Sequence, residues 1–207
     1  MPRGKGGRRF AAARRRAESP AGQFPPGSCH GTGTRHRVRT WPIGKSGRQH
    51  QLVIPVESPN KQFALLIGNS HLRAVVDGYV PMPESRFSFG ISATPGGRAR
   101  DIRTELAATE LDRVPDVVVV MATGNGLTAH QTVHQAAEEF GQLLDHVCRR
   151  WPTVCVLDFP PRLSVDAEIQ SLLRDEYRRV SAARGLRYIT VAEHFPLTRR
   201  ELWAWDG

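Results

Sequence analysis

The chain is short of the residues that would place it in an oxidising compartment or a bilayer. Its 207 residues include only three cysteines, Cys29, Cys148 and Cys155, and no two of them have disulfide or zinc-finger spacing. An odd count without a secretory apolar core points to a reducing, intracellular setting, cytoplasmic or nuclear. None of the apolar runs is long enough to span a membrane. Acidic residues are nearly missing from the first 50 positions, where Glu18 stands alone against 12 Lys or Arg, a net of +11. Residues 51–207 hold 17 bases and 19 acids, a net of −2, so the whole chain's +9 resides in the first 50. Rich in Gly and Pro and without apolar periodicity, residues 1–50 are expected to form a disordered basic tail ahead of a domain at 51–207. The Arg8-Arg9 and Arg14-Arg15-Arg16 clusters suit nonspecific RNA or DNA contact through counterion release, a nuclear address, or neither. An acid-poor, Arg-rich opening also fits a transit peptide, although the Gly and Pro content argues against an amphipathic helix.

The rest of the chain alternates apolar runs of two periods. Phe63 to Ile67, Arg86 to Ile91, Asp116 to Ala122, Thr153 to Leu157 and Leu186 to Val191 read as strands, and the run Val117-Val118-Val119-Val120 as a central parallel one. Between them, three- and four-residue spacing predicts helices over Arg98 to Thr109, around Val133 to Val147 and around Ile169 to Val180. This alternation predicts a single α/β domain with a parallel, doubly wound sheet. Such sheets put their chemistry at the carboxyl ends of the strands. Ser70 falls there, in Gly68-Asn69-Ser70-His71, where a following helix N-terminus would favour negative charge beside the hydroxyl. The plainer alternative is that Ser70 only caps that helix.

Two later segments bear on this choice: Ile91-Ser92-Ala93-Thr94-Pro95-Gly96-Gly97 after the second strand, and Thr123-Gly124-Asn125 after the third. Together with Gly68-Asn69-Ser70-His71 they resemble the ordered blocks of the SGNH (GDSL-like) hydrolases, a family of esterases, lipases and acetylhydrolases. The resemblance covers roughly Phe63 to Gly207 and implies a flavodoxin-like α/β/α fold. It further implies Ser70 as nucleophile and an oxyanion site formed by the backbone N–H of Ser70, the N–H of Gly97 and the side chain of Asn125. Thr123 departs from the family's usual Gly. The substrate class is a small ester or acylated molecule, and no cofactor or metal is implied. Similar domains occur in first-frame proteins of some retrotransposons, which bind nucleic acid.

The family's last block, Asp-x-x-His, is matched only as far as Asp206, which is followed by Gly207. The carboxylate orients the base that takes the serine proton, so hydrolysis by the chain as it stands is expected to be at or near background. Either the chain is a fragment, as two tryptophans with nothing after them to bury them suggest, or it is a non-catalytic module of the same fold with a nucleic-acid-binding tail. His194, after the last strand, is the candidate substitute base, although a surface loop position is its plainer reading. His71 is expected to bond locally. His130 and His134 have i, i+4 helical spacing without a third metal ligand, and Asp77, Asp158 and Asp166 read as surface or loop carboxylates.

Overall fold

The computed structural model describes residues 30–205. Asp206, Cys29 and the Arg8-Arg9 and Arg14-Arg15-Arg16 clusters lie outside these residues. The strands are β1 (Gln51–Val53), β2 (Gln62–Gly68), β3 (Phe87–Ala93), β4 (Val117–Met121), β5 (Val154–Leu157) and β6 (Arg187–Ile189). They form one sheet in the order β1-β3-β2-β4-β5-β6. Every neighbouring pair is parallel except β1 with β3. Counted in chain order, the five parallel strands follow the 2-1-3-4-5 arrangement of flavodoxin-like sheets. The antiparallel edge strand β1 adds to the parallel sheet read from the sequence.

Period-two alternation sends Leu65, Ile67, Val118 and Val120 to one face, and Leu66 and Met121 to the other. The first face is covered by α2 (Ala99–Ala107), α4 (Val133–Arg150) and α5 (Ala167–Ala182), whose Ile102, Leu106, Phe140, Leu144, Leu173 and Tyr177 are almost fully buried. Thr132 opens α4 with a capping box: its hydroxyl accepts the Gln135 N–H at 3.1 Å, and Gln135 returns a bond to the Thr132 N–H at 3.0 Å. Asp166 is exposed. It caps α5, accepting from Glu168 and Ile169 at 2.9 and 3.1 Å.

The second face has a thinner cover, and here the expected tail is corrected. Residues 30–50 form a strap that packs on the domain. Trp41 is only 6% exposed and lies over Leu72, Ile91 and Ala93. Its indole N–H donates to Asp77 at 2.9 Å, and the Arg73 guanidinium stacks 4.6 Å above the ring. Asp77 is therefore a buried anchor rather than a surface carboxylate. Further along, the backbone N–H groups of Lys45 and Ser46 both donate to the Glu105 carboxylate, at 3.1 and 2.7 Å. At its start the strap pairs in parallel with the C-terminal segment, the Gly33 N–H donating to the Trp203 carbonyl at 2.7 Å. A Cβ at Gly31 or Gly33 would collide with the backbone of residues 201–204, so only glycine permits this approach. Composition alone misjudged the strap because its few anchors show no period.

The same contact corrects the expectation that nothing buries the two tryptophans. Trp203 is 7% exposed, and its indole N–H donates to the Pro161 carbonyl at 2.7 Å. Trp205 stays more open and stacks on His30 with ring centroids 4.4 Å apart.

Because Asp77 is the acceptor of the buried Trp41 indole among the described residues, Asp77→Ala leaves that N–H unsatisfied. Urea unfolding is expected to show a loss of about 1–3 kcal/mol with a red-shifted tryptophan emission. Unchanged stability in Asp77→Ala would mean the strap is not held by this contact.

Candidate active site at the carboxyl edge of the sheet

The strand order reverses between β2 and β4, and the loops leaving these two strands diverge to open a crevice. From β2 the chain turns through Asn69 into a 3-10 turn, Ser70–Leu72, and then a single helical turn, α1 (Arg73–Val76). The helix expected behind Ser70 is thus very short, and its dipole is correspondingly small. The cap is Asn69, whose side-chain oxygen accepts the His71 N–H at 3.1 Å. Capping is therefore not the role of Ser70, which is exposed on the wall of a cavity of about 610 Å³.

Thr123, the residue that departs from the family pattern, ties the three loops together. Its hydroxyl accepts Asn69 Nδ2 and the Asn125 N–H, each at 3.2 Å, and donates to the Gly97 carbonyl at 3.1 Å. Its own carbonyl accepts the Tyr177 hydroxyl at 2.9 Å, and burial raises the pKa of that phenol, keeping it a donor. Gly97 enters the site differently from the sequence expectation. Its N–H donates to the Thr94 carbonyl at 2.9 Å, while its carbonyl accepts Asn125 Nδ2 at 2.9 Å. Asn125 begins the short helix α3 (Asn125–Thr128) and lines the cavity with Ser70.

The opposite wall comes from the loop after β5 and from the strap. Asp158 is fully buried, which corrects its reading as a surface group, and it holds that loop: Arg174 Nε lies 3.1 Å away and the Tyr188 hydroxyl 2.7 Å away. Burial, with Asp158 beside it, raises the Tyr188 pKa. Arg162 reaches from this loop, its Nη1 donating to Asn125 Oδ1 at 3.0 Å. The strap contributes Arg35 and His36, the latter packed on Tyr79 at 4.7 Å between centroids. Neither His36 nor Arg162 carries a sequence signal that separates it from other loop residues.

His194 is well exposed, beside Glu193, and does not line the cavity. His130 adopts a left-handed backbone with φ of 57° ahead of α4, so it does not share a helix face with His134. Among the described residues, no group of three His, Cys, Asp or Glu is placed to hold a metal, and no helix is long and apolar enough to cross a membrane.

His71 is exposed as a residue, yet desolvation of its ring, with Arg162 adding to it, lowers its pKa from 6.5 to about 4. Solvent at the exposed edge tempers this shift without changing its direction. Desolvation also lowers the pKa of His50, against Glu105, and of His146, where Arg150, Arg149 and Arg103 add to it. All three imidazoles bind a proton more readily when the chain is unfolded. Stability is therefore undiminished by them above pH 6.5 and falls as pH drops from 6.5 toward 4. The melting temperature is expected to fall through this window, and less steeply in His71→Asn. An equal slope in the variant would remove His71 from the account.

The sequence matches no family model and no curated protein. Solved structures do match. A serine-to-alanine variant of the esterase AlinE4 aligns with a TM-score of 0.57 at 14% identity, over 73% of this chain and 87% of that one. A candidate GDSL-like lipase from Parabacteroides merdae gives 0.56 at 14% identity, over 73% and 89%. An acetyl xylan esterase, AlAXEase, gives 0.51 at 13% identity, over 70% and 85%. AlinE4 is an esterase of the SGNH-hydrolase family. The chain has the fold of the SGNH, GDSL-like esterases and lipases.

Proposed function

We propose that the domain is an SGNH-type serine esterase or acyl hydrolase acting on a small ester or acylated molecule. The observation that carries this reading is the convergence of the β2, β3 and β4 loops on Thr123, which sets Ser70 and Asn125 on one cavity wall. In this reading Ser70 Oγ attacks the ester carbonyl, the alcohol departs with a proton, and water then releases the acid from the acyl-serine. The Ser70 N–H and the second N–H of Asn125 Nδ2 hold the tetrahedral oxyanion, each donor being worth about 3 kcal/mol. Gly97 serves this pair through its carbonyl, which fixes Asn125. Asp206 is the part of the Asp-x-x-His block that this sequence holds, and its carboxylate orients a base only where that block's His is supplied.

The imidazoles on the described cavity wall are His36 and His71. His71, with its lowered pKa, is a weak base. Slow deprotonation keeps turnover of p-nitrophenyl acetate near background, and because p-nitrophenolate leaves without needing a proton, acylation outruns deacylation and an acyl adduct accumulates. Peptide mass spectrometry should find the acetyl group on Ser70, with no adduct in Ser70→Ala. Asn125→Ala should slow acylation by about 10²- to 10³-fold with little change in unfolding free energy. Equal labelling of wild type and Ser70→Ala would refute the reading.

A second reading, a non-catalytic module that holds nucleic acid through its basic segment, is favoured by one observation. The strap contributes Arg35, Arg37 and Arg39 on its exposed side, in addition to the seven Lys or Arg of residues 1–29. Deleting residues 1–29 spares the strap's anchors. It is expected to remove most affinity for an arbitrary single-stranded oligonucleotide, and binding by the full chain should weaken steeply between two salt concentrations. Binding that persists in the deleted form would move the contact onto the domain.

A further inference from the structure

Arg162 is set apart by how its backbone is held and by what its side chain touches. Gln170, 1% exposed on α5, accepts the Arg162 N–H at 2.7 Å and donates through Nε2 to the Arg162 and Val165 carbonyls, both at 2.9 Å. The preceding carbonyl, Pro161, takes the Trp203 indole N–H at 2.7 Å. The loop is thus clamped on both sides. From it the guanidinium spans to the end of β4 and donates to Asn125 Oδ1 at 3.0 Å, while the other end of that amide, Nδ2, donates to the Gly97 carbonyl at 2.9 Å.

An amide held in this way has one orientation. Turning it over would set Nδ2 against a guanidinium that can only donate, and Oδ1 against a carbonyl that can only accept. Both bonds would be lost at a half-buried site. We propose that Arg162 is a positioning residue: its bond to Oδ1 fixes the Asn125 amide so that the second Nδ2 hydrogen is presented to the oxyanion formed at Ser70. This rests on the esterase reading above. A cation on Oδ1 also draws electron density from the amide and strengthens its N–H as a donor. The field of Arg162 is felt at this wall, since it adds to desolvation in lowering the His71 pKa.

The test joins a structural readout to a kinetic cycle. In the full-length protein, Arg162→Met is expected to shift the Asn125 side-chain amide resonances and speed their hydrogen exchange, with the melting temperature checked alongside. The rate of Ser70 acylation should fall by about 10- to 10²-fold in Arg162→Met, with little change in half-saturation by ester. In an Asn125→Ala background the same substitution should cost little, because the group Arg162 acts through is gone. Arg162→Lys should recover only part of the rate, as a point charge without the planar fork. Unmoved Asn125 amide signals, or the same loss of rate with and without Asn125, would overturn the proposal. Failure of wild-type Ser70 to acylate would overturn the esterase reading, and the amide signals would still decide whether Arg162 holds Asn125.

Discussion

The hydroxyl of Thr123 accepts N–H groups from Asn69 and Asn125 and donates to the Gly97 carbonyl, which uses its hydrogen-bonding capacity on three separate loops. Thr123 is 2% exposed and Asn69 1%, so their polar groups have been withdrawn from water and depend on one another for satisfaction. A glycine there would leave the Asn69 amide to find another acceptor and the Gly97 carbonyl with Asn125 Nδ2 as its remaining donor. The apparent departure from the family pattern is thus what aligns the β2, β3 and β4 ends in this chain.

A second polar system secures the far side of the crevice. Asp158 with Arg174 and Tyr188, and Gln170 with the backbone of residues 162 and 165, fix the loop after β5 from α5 and β6. A buried carboxylate is costly unless its lone pairs are met, and here the Phe159 N–H joins the other two donors at 2.8 Å. The cavity therefore lies between two hydrogen-bonded frames, one rooted in β4 and one in α5.

The core of the fold was legible because buried parallel strands must be apolar throughout and α2, α4 and α5 must bury one face. Those demands produce long periodic signals, as in Val117 to Val120. The positions of Ser70 and Asn125 at strand ends were legible, Ser70 from the apolar run before it and Asn125 from the resemblance of its block. Gly97 was found as a position, but the role of its carbonyl was not, since hydrogen-bond direction leaves no trace in residue type. The strap was misread because its hold depends on Trp41 meeting Asp77 across 36 positions, and on Gly31 and Gly33 meeting the backbone of residues 201–204. Such single long-range contacts overrule a composition that by itself describes an unfolded segment. Arg162 was invisible for the same reason: nothing near it in sequence announces Asn125.

The pairing of the strap with the C-terminal segment has a consequence in time. His30 and the Trp205 carbonyl, 3.1 Å apart, are separated by 175 positions, so on a ribosome the strap emerges well before its partner. Loop-closure entropy for so long a separation is modest, but the contact has no partner until the intervening sheet has been synthesised and folded. Trp41 does not wait for it, since its partners Leu72, Asp77, Ile91 and Ala93 all precede residue 94. The strap is thus fastened in two stages, at Trp41 first and at Gly33 only once residues 201–204 have emerged.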